Sequence, residues 1–268
     1  MVRSTWPVVC GAAALLAAPA LAAQARVPER TLDKADAEFA ESFDQIEVGS
    51  LRELPGGKVL VVDLGPKSLL LADFVRGTQK TIGRNGQGPG EYQFPGALIP
   101  YLGDTTLLVD RASRRFLTVT ADGKLGRVVP FPESLEGLPE PRGADRMGRI
   151  YFQASPFGGP VEDAGALPDS TSVLRWDVAA QRIDTLARVK LPALKMQVSG
   201  TSNARAVMLR PQPFAPQDDW AVAGDGRVAL ARVGDYHVDW LGERPARGTP
   251  VGYERVKVAD ADKESFMS

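Results

Sequence analysis

The feature that most restricts this chain is a phrase of short strands that keeps returning. Gly57 to Leu64 reads "GKVLVVDL" and Lys67 to Phe74 reads "KSLLLADF", two apolar runs separated by Gly65-Pro66. Runs this short, bounded by glycine and proline, predict strands rather than helices, and the two-residue break predicts a hairpin. The same order returns in "DTTLLVDRASRRFLTVTADGKLGRVV" (Asp104 to Val129), with a strand ending in Asp110, a polar turn, a second strand, an Asp122-Gly123 turn and a third strand. "RMGRIYFQAS" (Arg146 to Ser155) restarts it, "SVLRWDVAAQRIDTLARV" (Ser172 to Val189) continues it, and "GDGRVALARVGDYHVDWLG" (Gly224 to Gly242) restarts it again. Aligned on the strand that opens each repeat, Leu60, Leu107, Ile150 and Val228 stand 47, 43 and 78 residues apart. The last gap is nearly two periods, and Ala193 to Pro216, which shows no clear strand set, reads as an insertion.

A period of about forty residues, made of short strands and turn glycines, is that of a propeller blade. One blade cannot bury both of its faces alone, so blades stack around an axis and cover each other. Strands buried on both sides read as continuous apolar runs, as "TLLV" and "VLVV" do, instead of alternating. The fold class is therefore all-β, a β-propeller, with a β-sandwich as the competing arrangement of the same strands.

"IGRNGQGPGEYQFPG", followed by "LLVDRASRRFLTVTADGKLGR" and later by "AVAGDGRVALARVGDYHVDW", resembles bacterial exported six-bladed propellers related to NHL-repeat proteins. The pattern is a glycine-rich stretch ending in G-P-G-E-[FY], then a strand ending in Asp, an Arg-containing hairpin and an Asp-Gly-Lys turn. The resemblance runs through most of residues 49–258 and implies fold and compartment, with no established activity for most members. It implies six blades where about four are read, so the expected domain order is a signal peptide over 1–25, a lead-in segment with a short helical start over 26–50, blades over 51–258, and the start of a helix over 259–268 in a truncated, incomplete propeller. An open arc of four blades would leave one apolar blade face uncovered.

The N-terminus sets the compartment. Arg3 precedes "WPVVCGAAALLAAPALAAQA", a positive end, a short apolar core and an A-x-A ending, which is the pattern of a secretory signal; the cleavage frames Ala20-Leu21-Ala22 and Ala23-Gln24-Ala25 both fit. Val8 to Leu21 is shorter than the roughly 20 apolar residues a spanning helix needs, so the expectation is an exported, periplasmic or secreted protein with no stable membrane insertion after cleavage. Cys10, the single cysteine, lies inside the apolar core and leaves with the signal, so the mature chain has no disulfide and no thiol chemistry. A formal net charge of -1 gives no basis for recruiting nucleic acid.

Gly83 to Gly96, "GRNGQGPGEYQFPG", looks at first like a phosphate cradle. A dinucleotide fingerprint needs G-x-G-x-x-G between a strand and a helix, whereas Gly86, Gly88 and Gly90 are spaced by two, Glu91 stands at the third-glycine position and no helix pattern follows. A P-loop needs Lys and Ser/Thr after a later glycine, and Pro89 offers no N–H. The stretch reads instead as turn glycines with Tyr92 and Phe94 plugging the seam between neighbouring sheets, leaving Glu91 as a candidate at the axial mouth.

Asp63 and Asp110 each end an apolar strand at the same repeat position. Strand-end carboxylates ringed around an axis are candidates for Ca²⁺, which takes several oxygen ligands; they also cap backbone N–H groups in the following turn. Gln153 and Arg232 near that register interrupt the ring of carboxylates, so the turn-cap reading is favoured over calcium, and no cofactor is expected. His237, the single histidine, sits in "DYHVDW", where strand alternation puts Asp235 and Asp239 on its own face. There is no G-x-S-x-G elbow and no metal-spaced histidine pair, and Arg114 and Arg115 read as a solvated hairpin tip. The expectation is a non-enzymatic module that binds an unidentified protein or small molecule at its axial mouth, through Asp63, Glu91, Asp110 and His237. The alternative is a propeller hydrolase or lactonase, or a lyase, with those four residues meeting at the axis.

Overall fold

The computed structural model describes residues 43–137, 139–157, 167–201, 204–253 and 257–267, with isolated positions between 31 and 38. The expected signal peptide over 1–25 and much of the segment expected to start a helix over 26–50 lie outside the described residues. The chain divides into two units, Met1–Glu38 and Phe39–Ser268, and every sheet belongs to the second.

Four four-stranded antiparallel sheets follow one another in sequence. The first holds β1 (Leu51–Leu54), β2 (Lys58–Asp63), β3 (Ser68–Asp73) and β4 (Thr78–Ile82). A short parallel pair, β5 (Arg84–Asn85) and β6 (Glu91–Tyr92), closes the glycine-rich segment into a loop before the second sheet. That sheet holds β7 (Pro95–Pro100), β8 (Thr106–Asp110), β9 (Arg115–Val119) and β10 (Leu125–Pro130). The third holds β11 (Glu140–Ala144), β12 (Ile150–Gln153), β13 (Ser170–Asp177) and β14 (Arg182–Lys190). A hairpin of β15 (Leu194–Thr201) and β16 (Ala204–Pro211) separates it from the fourth sheet, β17 (Asp219–Val222), β18 (Val228–Arg232), β19 (His237–Leu241) and β20 (Ala246–Arg247). A helix, α1 (Asp260–Met267), carries Asp260 and Asp262 in its first turn. Among the described residues no helix is long and apolar enough to cross a membrane.

Strand alternation explains why the sheets stack as blades. In β8 all five residues are buried: Leu108 joins a cluster with Leu60, Val62, Leu69 and Leu71 of the first sheet, while Leu107 and Val109 join Ile150, Phe152 and Trp176 of the third. A third seam packs Tyr151 and Val173 against Trp220, Val228 and Leu230 of the fourth sheet. Successive residues of one strand thus serve two different seams. The first strands touch in series, β1 with β7, β7 with β11 and β11 with β17, so they form the inner edge of a four-blade propeller arrangement. The strands that sequence alignment placed at the start of each repeat are therefore the second strands of the sheets. The true first strands escape a pattern reading because β7 begins with Pro95-Gly96 and ends with Pro100, β11 carries Pro141 and Gly143, and both are bulged.

Within Ala193 to Pro216, expected as an insertion with no clear strand set, Leu194–Thr201 and Ala204–Pro211 pair in a regular two-stranded ladder. Tyr92 fills the seam between the first two sheets, its hydroxyl donating to the Ile82 carbonyl and accepting from the Leu69 N–H, each at 2.9 Å. Phe94 does not join that seam; it lies half-buried under the Lys67 ammonium, 5.2 Å from the ring centre.

The two ends of the arrangement differ. Turns between first and second strands meet at one end, where the Tyr101 hydroxyl donates to the Gly148 carbonyl at 3.2 Å and the Arg146 N–H to the Gly224 carbonyl at 2.9 Å. The opposite end carries the incoming linkers and the turns between second and third strands. Three of those turns place their last residue, Lys67, Arg114 or Tyr236, at φ near +50°, which closes four-residue turns of one length.

Candidate functional site

The four candidates Asp63, Glu91, Asp110 and His237 all lie at the linker end, because antiparallel meanders return the end of every second strand and the start of every third strand to one side. Within that end they belong to separate networks.

Asp63 and Asp110 make the same clasp. Asp63 accepts the N–H groups of Asp44 and Gln45 at 2.9 and 3.0 Å, and the Leu64 N–H returns to the Gln45 carbonyl at 2.9 Å. Asp110 accepts the N–H groups of Gln93 and Phe94 at 3.2 and 3.0 Å, and the Arg111 N–H returns to the Phe94 carbonyl at 3.0 Å. Each carboxylate ties the linker entering a sheet to the end of that sheet's second strand. Asp110 adds a cation: Arg115 Nε donates to its second oxygen at 3.0 Å, both side chains being nearly buried. Arg115 also donates to the Glu91 carbonyl at 2.9 Å, and Arg114 donates to the Leu135 and Gly137 carbonyls. The two arginines, expected at a solvated tip, are thus anchors for the linkers on either side, because the tip folds against its neighbours.

In the fourth sheet the charges are exchanged. Arg232 occupies the strand-end position, and Asp218 of the linker supplies the carboxylate at 2.9 Å. Asp218 also accepts the N–H groups of Lys190 and Val233, each at 3.0 Å. Burial alone would push the Asp218 carboxyl up, but these donors and Arg232 hold it below the ordinary carboxylate range. In the third sheet the position is Gln153, whose side-chain oxygen accepts the Trp220 indole N–H at 3.1 Å.

The Glu91 carboxylate folds back into the glycine loop, accepting the Gly88 N–H at 2.7 Å and pairing with Arg84 at 2.6 Å. The Gly88 N–H first, and Arg84 after it, keep this carboxyl below its ordinary value. Gly86 sits at φ +156°, and a Cβ there would collide with the Glu91 carboxylate. The loop needs its glycine to wrap an acid, which answers why the segment cannot cradle a phosphate.

His237 is buried in β19. Its Nδ1 pairs with Asp235 and its Nε2 with Asp239 at 3.1 Å. Those acids are held in turn by Arg247 and Arg232, at 3.1 and 3.0 Å. Arg232 is the main reason the Asp239 carboxyl lies below its usual range. The ring is therefore a link in a polar network running from Asp218 to Arg247. Among the described residues no group of three or more His, Cys, Asp or Glu side chains is placed to hold a metal ion.

Beside these networks a cavity of about 380 Å³ opens between the second and third sheets, walled by Val48, Ala97, Val109, Phe131 and Pro141. Arg111 also lines it, and its guanidinium has no hydrogen bond or ion pair among the described residues. A Cβ on Gly96 would stand 3.0 Å from Arg111 Nε, so the missing side chain leaves room for the arginine stem to cross β7. Sequence reasoning missed this residue. Its signal was present in the paired "FPG" and "DR" positions of one blade, but nothing local says that they touch.

No family model matches the chain, and no curated protein matches it. Among solved structures it is similar to a presumed exported protein from Bacteroides fragilis, at 16% identity over 83% of this chain and 54% of that one, with a TM-score of 0.45. It is also similar to a gluconolactonase from Xanthomonas campestris, at 15% identity over 72% of each chain, with a TM-score of 0.36. The chain spans about half the length of the Bacteroides protein.

Proposed function

We propose that this chain is an exported propeller that binds a small molecule or a protein segment at its linker end and performs no chemistry on it. The observation that carries the reading is the division of labour at that end. Asp63, Glu91, Asp110 and His237 are each engaged by backbone amides, arginines or neighbouring acids, while a cavity of mixed lining, with apolar walls, Glu140 and the unengaged Arg111, lies next to the inner strands. Its volume falls within the on-the-order-of 300–1,000 Å³ of ordinary ligand sites. Export rests on the N-terminal pattern. Six blades is the count implied by the resemblance, and the exposed Val238 and Trp240, on the face of the fourth sheet turned away from the third, are compatible with a further neighbour there.

The test has two readings. Protein-observed NMR with a fragment library is expected to perturb the amides of Ala97, Val109 and Arg111 first. Assays on aldonolactones and aromatic lactones, with and without calcium, are expected to give no turnover above the uncatalysed rate. Calcium-dependent turnover that disappears in Asp110→Asn would replace the binding reading with the hydrolase one.

A further inference from the structure

A second cavity, of about 510 Å³, lies at the opposite end, where the turns between first and second strands meet. Arg52 of β1, Pro100 and Tyr101 at the end of β7, Ala144 at the end of β11, and Arg146 and Gly224 of the next two turns line it. The cavity therefore sits among the inner strands, on the side away from Asp63 and Asp110.

Its charges are unbalanced. Arg52 Nε is buried and has no hydrogen-bond partner, and the Arg52 side chain makes no ion pair among the described residues. Buried polar nitrogens are almost always paired, so one left open calls for an explanation. Arg146 is exposed, its stem lies along Gly224, where a Cβ would stand 3.4 Å from Nε, and its guanidinium is likewise without a partner among the described residues. The one carboxylate in the lining, Asp145, is fully engaged. It accepts the Met147 and Arg149 N–H groups at 2.9 and 3.1 Å, Arg149 Nε at 2.6 Å and the Tyr151 hydroxyl at 2.8 Å. It leaves the two guanidiniums without a counter-charge. The Tyr101 ring and Pro100 supply apolar wall, and the Tyr101 hydroxyl is occupied by Gly148.

We propose that this cavity is an oxyanion site, in which Arg52 and Arg146 take the carboxylate or phosphate group of a small anionic ligand. Guanidinium forks match both groups in shape and charge. The site is independent of the binding proposed at the linker end, so either can fail alone.

The experiment measures thermal unfolding and isothermal titration of the full chain with inorganic phosphate, with succinate, and with sodium chloride at matched ionic strength. Phosphate, succinate or both are expected to raise the midpoint beyond the chloride control, as a ligand of the folded state must. A response to phosphate alone assigns the phosphate class, and a response to succinate alone the carboxylate class. Arg52→Gln is expected to weaken the anion by at least about tenfold, the loss of one charge-assisted hydrogen bond. Arg146→Gln, on an exposed turn where folding is not at risk, is expected to weaken it as well. Without anion, Arg52→Gln should unfold at or above the wild-type temperature, because it removes a buried nitrogen that has no partner. Neither anion exceeding chloride, or both variants responding as the wild type does, would overturn the proposal.

Discussion

Arg232 and Asp218 pair at 2.9 Å in the fourth sheet, in the place where Asp63 and Asp110 grip backbone amides in the first two. One joint, the end of a second strand bound to an incoming linker, is thus built with opposite polarity in different blades. In these three sheets what is kept is the closure of the joint rather than the sign of the residue at the strand end, while in the third sheet Gln153 bonds Trp220 of the next sheet instead. For that reason the strand-end positions do not form a ring of carboxylates around the axis.

The two aspartate clasps should differ in cost. Asp110→Ala leaves Arg115 nearly buried with its counter-charge gone and strands two linker N–H groups. The expected loss is about 3–5 kcal/mol, the range for breaking a buried pair from one side. Asp63→Ala removes hydrogen bonds to N–H groups with no arginine behind them, and about 1–2 kcal/mol is expected. Urea unfolding of both variants decides the order, and equal losses would mean that Arg115 finds another partner.

Acid should attack the Asp218–Arg232–Asp239 chain. Both carboxyls are held below their ordinary values in the folded protein, so the unfolded chain takes up protons first as pH falls. Their contribution is complete above pH about 4 and is lost as pH drops toward the folded values. Arg232→Met should flatten this acid limb and lower stability at pH 7. Urea midpoints between pH about 3 and 7 would show it, and an unchanged limb would move acid sensitivity elsewhere.

Alkali should find Tyr151. Burial first, then the Asp145 carboxylate that accepts its hydrogen bond, pushes this phenol up from 10.0 to about 12. The unfolded chain therefore releases the proton before the folded one. The stabilisation is intact below pH about 10 and declines as pH rises toward about 12. Tyr151→Phe should remove that part of the alkaline limb and cost about 1–3 kcal/mol at neutral pH, because Asp145 loses a donor. Unfolding midpoints at pH about 8 and 11 compare the two.

Thr106 offers a gain. It is fully buried in β8 and its hydroxyl has no hydrogen-bond partner among the described residues. Thr106→Val keeps the shape and the β-branch while removing the unpaired oxygen, so a stabilisation of about 1 kcal/mol is expected. A destabilised variant by calorimetry would mean that the hydroxyl is satisfied in solution.

The sequence by itself determined the repeat, the second and third strands of the sheets, and the turns between them. These are set by short-range facts: apolar runs such as "VLVV" and "TLLV", the position of Asp63 and Asp110 at their ends, and the distance to the next turn. It also placed Asp239 on the face of His237, since alternation along one strand is local, whereas Asp235 reaches the ring from the turn before β19, where the positive φ of Tyr236 breaks the alternation. Only the tertiary structure decided what lies beside what. The inner strands β7 and β11 carry prolines and glycines and owe their burial to neighbouring sheets, so their own residues hardly announce them. The clasp of Asp110 on the linker, the crossing of Arg111 over Gly96 and the convergence of Arg52 and Arg146 on one cavity join residues brought together by stacking sheets. Hydrogen bonds and charge pairs act over a few ångströms of space, and a one-dimensional pattern carries no measure of that distance.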